Sequence, residues 1–260
     1  SHMSLIHATA IIDPRAEIAD GVEIGPYSII GADVVIGADT WVGPHVVISG
    51  PTRIGQRNRI YQFASVGADC QDKKYRGEPT RLEIGDDNVI RESCSLHRGT
   101  IQDNSLTKIG SRNLLMVNSH IAHDVIVGDD NIIANNACIA GHVVIGDSVI
   151  IGGNSGIHQF CRIGSYAMLG GGTTLFKDVP AYVMASGNPA IPRGMNFEGM
   201  KRKGWSSETI NALRKAYKAV YRDGLTLEEA YAPLAELAAK TPEVQLFIDT
   251  LRASTRGIIR

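Results

Sequence analysis

An aliphatic residue recurs every six positions along most of this 260-residue chain. The first run holds this spacing from Ile6 to Val66 and resumes at Ile84, and a second run extends from Ile109 to Leu175. Neither an α-helix, with 3.6 residues per turn, nor the two-residue alternation of an ordinary strand produces a period of six. Repetition at a fixed period is typical of solenoid architectures.

A six-residue unit accommodates a short strand and a corner, so three units make a triangular coil. The first residue of each unit points inward, and strand alternation brings the fifth residue to the same side. Fifth positions are mostly small or apolar, as at Ser119 and Ala137, with Asn58, Asn88 and Asn131 as polar exceptions. We therefore predict a mainly β protein, a parallel β-helix whose coils stack at about 4.8 Å.

Two interruptions break the repeat, at about 68–82 and 99–108. Insertions into a solenoid are expelled as loops and often carry the binding surface. The predicted domains are a β-helix at 4–190 and a small α-helical domain at 191–260.

The segment 181–204 lacks the repeat and is predicted to be irregular. Ser206 or Ser207 then caps a helix that is expected to end at Gly224. Two more helices are predicted at 226–240 and 242–254.

Charge balance gives no electrostatic reason to expect a nucleic-acid partner, because 26 Lys and Arg face 27 Asp and Glu. No apolar run reaches the roughly 18 residues that a membrane-spanning helix needs. Four cysteines in a chain of this length do not make a disulfide scaffold. A cytoplasmic protein is expected.

Histidines are concentrated in the later repeats, and none of them occupies a first or fifth position, so we expect them to project outward or from corners. A single such histidine is usually a solvated surface residue, but a cluster on neighbouring coils favours a functional site. The clustered residues are His97, His120, His123, His142 and His158.

Gly141 follows His123 by one coil of eighteen residues, so the two are expected side by side, as are Asp124 and His142. A histidine base beside a glycine amide suits acyl transfer, since one removes a proton and the other stabilises an oxyanion. The same spacing relates three asparagines, which form either a ladder that caps corners or a set of ligand contacts. They are Asn118, Asn136 and Asn154.

Three cysteines fall at fifth positions, where a small inward residue is needed, so Cys70, Cys94 and Cys161 are predicted to fill the core rather than act as nucleophiles. Basic residues gather near the start of the helical region, which suits phosphate groups or an acidic partner protein. They are Lys201, Arg202, Lys203, Arg214, Lys215, Lys218 and Arg222.

Several motifs resemble those of the UDP-N-acetylglucosamine O-acyltransferases that begin lipid A synthesis, and the resemblance covers nearly the whole chain. The matching stretches are QDKKYRGEPT at 71–80, HRGT at 97–100, NSHIAHD at 118–124, HQFC at 158–161, NFEG at 196–199 and STRG at 254–257.

The resemblance implies a left-handed β-helix and a homotrimer with active sites between subunits. The family transfers an R-3-hydroxyacyl chain from acyl carrier protein to the 3-hydroxyl of UDP-N-acetylglucosamine. It implies no metal and no cofactor beyond the phosphopantetheine of the carrier protein. His123 matches the general base, Asp124 its orienting carboxylate and Gly141 the oxyanion donor.

Other positions match substrate contacts of the family. Arg202 matches a diphosphate contact, whereas Lys203 stands where relatives often have a second arginine and lacks the planar fork for bidentate phosphate binding. Gly171 matches the side chain that closes the acyl groove, so the missing side chain predicts a preference for twelve to fourteen carbons over ten. Matches near the sugar and thioester are Gln71, Asp72, Lys74, His120, His142, His158 and Gln159, and those near the nucleotide are Asn196 and Glu198.

Three alternatives remain on sequence grounds. A zinc enzyme of the γ-carbonic anhydrase type uses the same solenoid but needs three converging ligands at about 2 Å. A non-enzymatic scaffold leaves the outward histidines without a role. The N-acyltransferase of the same pathway has an additional N-terminal uridine-binding domain, for which the repeat starting at Ile6 leaves no room.

Overall fold

The computed structural model describes residues 3–260 and contains a solenoid of short strands followed by a hairpin and helices. The solenoid strands β1 to β26 are, in order, Leu5–Ile6, Ile11–Ile12, Glu17–Ile18, Glu23–Ile24, Ile29–Ile30, Val34–Ile36, Trp41–Val42, Val47–Ile48, Thr52–Ile54, Arg59–Ile60, Ser65–Ala68, Arg81–Ile84, Val89–Ile90, Ser95–His97, Leu106–Ile109, Leu114–Leu115, His120–Ile121, Ile126–Val127, Ile132–Ile133, Cys138–Ile139, Val144–Ile145, Ile150–Ile151, Gly156–Ile157, Arg162–Ile163, Met168–Leu169 and Thr174–Leu175.

Every third strand pairs in parallel, and this produces the three faces of a triangular prism. Face A begins with β1 and β4, face B with β2 and β5, and face C with β3 and β6. First-position residues align across coils, as where Ile133 pairs with Ile151, and these aliphatic side chains form the buried core. The predicted parallel β-helix is confirmed.

The polar exceptions among the inward positions form a buried ladder. The amide side chain of Asn88 donates to Oδ1 of Asn58 at 3.0 Å, and that of Asn113 donates to Oδ1 of Asn88 at 3.1 Å. The backbone N–H of Asn131 continues the ladder by donating to Asn113 at 2.9 Å. These asparagines are tolerated inside because their hydrogen bonds are satisfied by neighbouring coils.

Both insertions leave the solenoid at the same corner, between faces B and C. The first lies between β11 and β12, and the second between β14 and β15, one coil later. The turns that follow β17, β20 and β23 occupy this corner on the next three coils. The corner therefore brings together loops and turns that are far apart in sequence.

The prediction that residues 181–204 are irregular is wrong in detail. This segment contains an antiparallel hairpin, β27 (Val183–Gly187) with β28 (Ala190–Met195), and a short helix, α1 (Phe197–Arg202). The hairpin extends face A beyond β25. The six-residue period does not reveal it, because its two successive strands pair directly with each other. The expected domain boundary at 190/191 falls at the start of β28.

Three longer helices follow: α2 (Ser207–Tyr221), α3 (Leu227–Lys240) and α4 (Glu243–Ala253). Ser206 caps α2 by accepting a hydrogen bond from the amide of Thr209 at 3.1 Å. The helix ends at Tyr221, earlier than Gly224, which has a φ of 72°. Among the described residues, no helix has the length and apolar character needed to span a membrane.

Candidate active site

His123 and Asp124 form a hydrogen-bonded pair at the corner between faces B and C. Nδ1 of His123 lies 2.9 Å from Oδ2 of Asp124. The hydroxyl of Thr100 donates to the same oxygen at 2.6 Å, and its amide donates to Oδ1 at 3.0 Å. An ionised carboxylate only accepts, so Nδ1 of His123 carries the proton and Nε2 is left as a base.

The second insertion covers this pair. The backbone amide of Asp124 donates to the hydroxyl of Thr107 at 2.9 Å, and both His123 and Asp124 are buried. Burial opposes ionisation of Asp124, but the hydrogen bonds from His123 and Thr100 outweigh it and lower the pKa of the carboxyl group. The carboxylate is therefore available to orient the imidazole.

Gly141 lies against the ring of His123 on the adjacent coil, as the eighteen-residue spacing predicts. A β-carbon at Gly141 would lie 2.6 Å from Nε2 of His123. Among the described residues, the Gly141 amide donates no hydrogen bond, whereas its carbonyl accepts one from Phe160 at 3.1 Å. A free amide beside a base is the arrangement that an oxyanion site requires.

His142 forms a second histidine–carboxylate pair next to the first. Its Nδ1 lies 2.8 Å from Oδ2 of Asp103 in the second insertion, and its Nε2 lies 3.8 Å from Oδ2 of Asp124. The His142 ring stacks on Phe160 at 4.5 Å and meets His123 edge-on at 5.0 Å. The adjacency of Asp124 and His142 follows the predicted coil spacing.

His120 and His97 lie on the neighbouring face B. Oγ of Ser95 is 2.6 Å from Nδ1 of His120, and the His97 and His120 rings meet edge-on at 4.7 Å. Burial, followed by the neighbouring histidines, lowers the pKa of His97 to about 4, and burial also lowers the pKa of His120. Both rings are therefore neutral near pH 7 and offer hydrogen bonds without charge.

The histidines point away from the solenoid core, as expected, and two of them are also shielded from solvent. His97 and His123 are buried, because the insertion loops cover this corner. His158 is exposed, as is Gln159, one coil beyond His142.

The first insertion brings Asp72 to the site. Oδ2 of Asp72 lies 3.9 Å from Nε2 of His123, and its Oδ1 accepts from the amide of Lys74 at 2.8 Å. Gln71 and Lys74 are exposed on the same loop. The loop therefore faces the basic nitrogen of the pair.

A second group of predicted residues lies elsewhere, at the corner between faces C and A. Asn196 caps α1 by accepting from the amide of Gly199 at 3.0 Å, and Glu198 is exposed in the first turn. A cavity of about 320 Å³ opens beside this helix. Its lining includes Tyr166, Met168, Asn196, Arg202, Lys203 and Trp205.

These two groups occupy different corners of the prism, so one chain does not bring them together. Residues near His123 follow face B, whereas Tyr166 precedes a strand of face A.

Gly171 is exposed at a corner late in the solenoid. A β-carbon there would have only the carbonyl oxygen of Gly153 nearby, at 3.5 Å. This is an ordinary contact, so space exists where a side chain would lie.

The three fifth-position cysteines and the corner asparagines also have defined places in the structure. Cys94 and Cys161 are in the core, and burial raises the pKa of Cys161 to about 11, whereas Cys70 is buried outside the core cluster. Cys70 is thus buried as predicted, but it lies outside the continuous hydrophobic cluster because the chain leaves the solenoid just before it. The side chain of Asn118 donates to Asn136 at 2.9 Å, which favours a corner ladder.

Among the described residues, His123, Asp124 and His142 form a group that could hold a metal ion. Their donor atoms lie within 4.8 Å of one another. Two imidazoles and a carboxylate suit zinc chemically. However, Asp124 already bonds to His123 and Thr100, so metal coordination competes with this network.

Sequence reasoning missed three residues that hold site histidines or the Asp124 carboxylate: Ser95, Thr100 and Asp103. Thr100 lies within the HRGT motif, which was a usable signal. Ser95 and Asp103 carried no signal, because their partners are 25 and 39 positions away.

The chain matches the bacterial transferase hexapeptide family (six repeats) at residues 3–38, 33–68, 106–141 and 142–177. Together with the His–Asp pair beside a free amide, this family match identifies the chain as a hexapeptide-repeat acyltransferase. Residues 178–259 match domain 2 of UDP N-acetylglucosamine O-acyltransferase. The chain is 64% identical over 259 residues to the acyl-[acyl-carrier-protein]–UDP-N-acetylglucosamine O-acyltransferase of Psychrobacter sp. (strain PRwf-1), covering 99% of this chain and 100% of that relative. The chain belongs to the acyl-[acyl-carrier-protein]–UDP-N-acetylglucosamine O-acyltransferase family.

Solved structures agree with this assignment. LpxA from Acinetobacter baumannii is 65% identical, with a TM-score of 0.97 and coverage of 98% of this chain and 100% of that one. UDP-N-acetylglucosamine O-acyltransferase (LpxA) from Moraxella catarrhalis is 58% identical, with a TM-score of 0.97 and coverage of 98% and 99%. The fold of the chain is that of these enzymes.

Proposed function

We propose that this chain transfers an R-3-hydroxyacyl group from acyl carrier protein to the 3-hydroxyl of UDP-N-acetylglucosamine, the first step of lipid A biosynthesis. The observation that carries the proposal is the His123–Asp124 pair with the unbonded Gly141 amide beside it. Family membership supplies the identity of the substrates.

In the proposed mechanism, Nε2 of His123 removes the proton from the sugar 3-hydroxyl. The hydroxyl oxygen attacks the thioester carbonyl, and the Gly141 amide stabilises the resulting oxyanion. The carbon–sulfur bond then breaks, and the imidazolium returns its proton to the departing thiolate. Asp124 stabilises the imidazolium during this cycle.

The remaining predicted residues are assigned by their positions around this centre. Asp72, which faces Nε2 of His123, is placed to contact the reacting hydroxyl. Gln71, Lys74, His120, His142, His158 and Gln159 are proposed to contact the sugar and the thioester. Asn196, Glu198, Arg202 and Lys203 are proposed to hold the uridine diphosphate in the cavity beside α1.

We propose a homotrimer whose neighbouring subunits complete each site. The separation of the two residue groups on different corners supports this, as do apolar side chains exposed on the faces. Ile132 and Ile150 are each 37% exposed on face A, and Ile29 and Val47 are each 43% exposed on face B. Light scattering should give about three times the 28.0 kDa chain mass.

Acidic acyl carrier protein is proposed to dock on the basic side of the helical region. A cavity of about 440 Å³ between β28 and α2 is lined by Arg193, Arg214, Lys218 and Arg222. The Arg214 guanidinium lies 4.2 Å from the centre of the Phe197 ring, which fixes its direction. Electrostatic attraction of this kind favours rapid association with an acidic protein.

We further propose that the chain acts in the cytoplasm and that the reaction requires no metal or cofactor beyond the carrier's phosphopantetheine. The four cysteines are free, which suits a reducing compartment. Activity that persists after dialysis against a chelator would support a reaction without metal. Metal analysis of the purified protein should then find no stoichiometric zinc. Stoichiometric zinc, with activity lost on its removal, would instead favour the zinc-enzyme alternative.

The deciding experiment is an acyl-transfer assay with UDP-N-acetylglucosamine and a panel of 3-hydroxyacyl carrier proteins. His123→Ala should fold as the same oligomer and lose about 10²–10⁴ in kcat, the range of general-base catalysis. His7→Ala, at an exposed histidine near the first strand, is the matched control. Near-normal turnover by His123→Ala would refute the mechanism.

A further inference from the structure

Arg98 is a buried arginine for which the proposed reaction has no direct use. It follows β14, at the root of the second insertion, and its side chain is 7% exposed. A guanidinium cannot lose its charge at ordinary pH, so burial is costly unless its N–H groups are satisfied.

The contacts of Arg98 go to the other insertion, the loop of residues 69–80. Nη1 donates to the carbonyl of Gly67 at 2.6 Å, just before the loop starts. Nη2 donates to Asp69 and to the hydroxyl of Tyr75, the latter at 2.9 Å. Nε donates to the carbonyl of Thr80 at 3.1 Å, where the loop ends.

One side chain therefore holds the beginning, the middle and the end of the loop. The Tyr75 hydroxyl passes the restraint on by donating to the carbonyl of Glu78 at 2.8 Å. The other hydrogen bonds of the tip join loop residues to one another, as where Arg76 donates to the carbonyl of Lys73 at 2.7 Å. The basic residues Lys73, Lys74 and Arg76 are exposed.

The same loop carries Asp72, whose carboxylate lies 3.9 Å from Nε2 of His123. The position of Asp72 depends on the path of the loop, because its own hydrogen bond runs within the loop, to the amide of Lys74. Displacements of about 1 Å at a reacting centre can cost about 10²-fold in rate.

We propose that Arg98 is a positioning residue that fixes the first insertion loop against the solenoid and so places Asp72 opposite His123. Lysine does not replace it, since a single ammonium lacks the planar fork that reaches three parts of the loop. The consequence for turnover rests on the proposed function, whereas the consequence for the loop does not.

The loop is tested by limited trypsin digestion followed by mass spectrometry, since three cleavage sites lie at its tip. Arg98→Ala and Arg98→Lys should be cut at Lys73–Arg76 about tenfold faster or more than the unmodified protein, because charge-assisted hydrogen bonds are lost. Arg112→Ala, which removes an exposed arginine paired with Asp130, should be cut at the unmodified rate. Unchanged cleavage in both Arg98 variants overturns the proposal.

Turnover is tested by a double-mutant cycle with Asp72. Arg98→Ala alone should lower kcat/KM by about 10- to 100-fold. In an Asp72→Ala background, Arg98→Ala should cause little further loss, because both changes remove the same carboxylate from the site. Losses that multiply would show that Arg98 does not act through Asp72.

Two results separate this inference from the proposed function and from simple unfolding. If the unmodified protein transfers no acyl group, the proposed function fails, but the trypsin comparison still decides the role of Arg98. If Arg98→Ala does not fold, Tyr75→Phe removes the hydroxyl that links Arg98 to the Glu78 carbonyl and should also speed cleavage of the loop. Tyr75→Phe cut at the unmodified rate would then overturn the proposal.

Discussion

The imidazole of His123 occupies the space that a side chain at Gly141 would need. A β-carbon on Gly141 would lie 2.6 Å from Nε2 of His123, closer than real atoms approach. The imidazole of His123 can therefore occupy its position only because Gly141 has no side chain.

Gly141→Ala should therefore displace the imidazole and lower kcat by about 10²-fold or more, with the solenoid intact. Steady-state kinetics and circular dichroism measure the two effects. Gly31→Ala, on a distant coil where the added carbon meets its nearest atom at 3.3 Å, should keep its activity. Wild-type turnover by Gly141→Ala would contradict the close packing.

Thr100→Val removes a 2.6 Å hydrogen bond to the carboxylate that orients His123. The expected loss in kcat is about tenfold, from about 1.5 kcal/mol for a hydrogen bond to a charged group. KM for the nucleotide sugar should change little. Thr100→Ser keeps the hydroxyl and should restore most of the rate, and failure to do so would point to packing instead.

Arg202→Ala should raise KM for the nucleotide sugar about tenfold or more, because a charge-assisted contact contributes about 1.5–3 kcal/mol. The effect on kcat should be smaller. Lys240→Ala, which removes an exposed cation at the end of α3, serves as the control. An unchanged KM in Arg202→Ala would mean that the diphosphate binds elsewhere.

His97 should make the fold sensitive to mild acid. Its pKa is lowered to about 4 in the folded chain by burial and by the neighbouring His120, His123 and Arg98. The unfolded histidine titrates near 6.5, so protons bind preferentially to the unfolded state between these values. Stability is then lost as pH falls from about 6.5 to about 4.

Calorimetry of unmodified protein and His97→Gln between pH 7.5 and pH 5 measures this contribution. The unmodified protein should lose up to about 2 kcal/mol more than the variant at pH 5. Asp124 adds a similar acid sensitivity, but below its ordinary range, outside this window. Parallel pH profiles for the two proteins would contradict a neutral buried His97.

The acyl-chain length that the enzyme prefers in its donor should depend on Gly171. An added β-carbon there meets only the Gly153 carbonyl oxygen, at 3.5 Å. The unmodified enzyme should prefer donors of twelve to fourteen carbons over ten, since each buried methylene contributes about 0.8 kcal/mol. Gly171→Met should shift the preference toward ten carbons in competition assays. If Gly171→Met leaves the preference unmoved, Met168 or Phe176 closes the groove instead.

The sequence by itself determined the solenoid. A period of six fixes which side chains face inward, because each inward position is set by local strand geometry and does not depend on distant residues. The pairing of Gly141 with His123 followed from the same arithmetic. The cap of α2 at Ser206 followed instead from the preference of serine for that position.

Only the tertiary structure decided how the insertions fold over the corner. The contacts of Asp103 with His142 and of Arg98 with Tyr75 join residues in loops without a period, so spacing carries no information about them. The sequence did not predict the hairpin β27–β28 either, because its strands pair with β25 and with each other without repeating the six-residue spacing. Burial of His123 likewise depends on loops that cross from other coils, and such coverage is a property of the assembled fold.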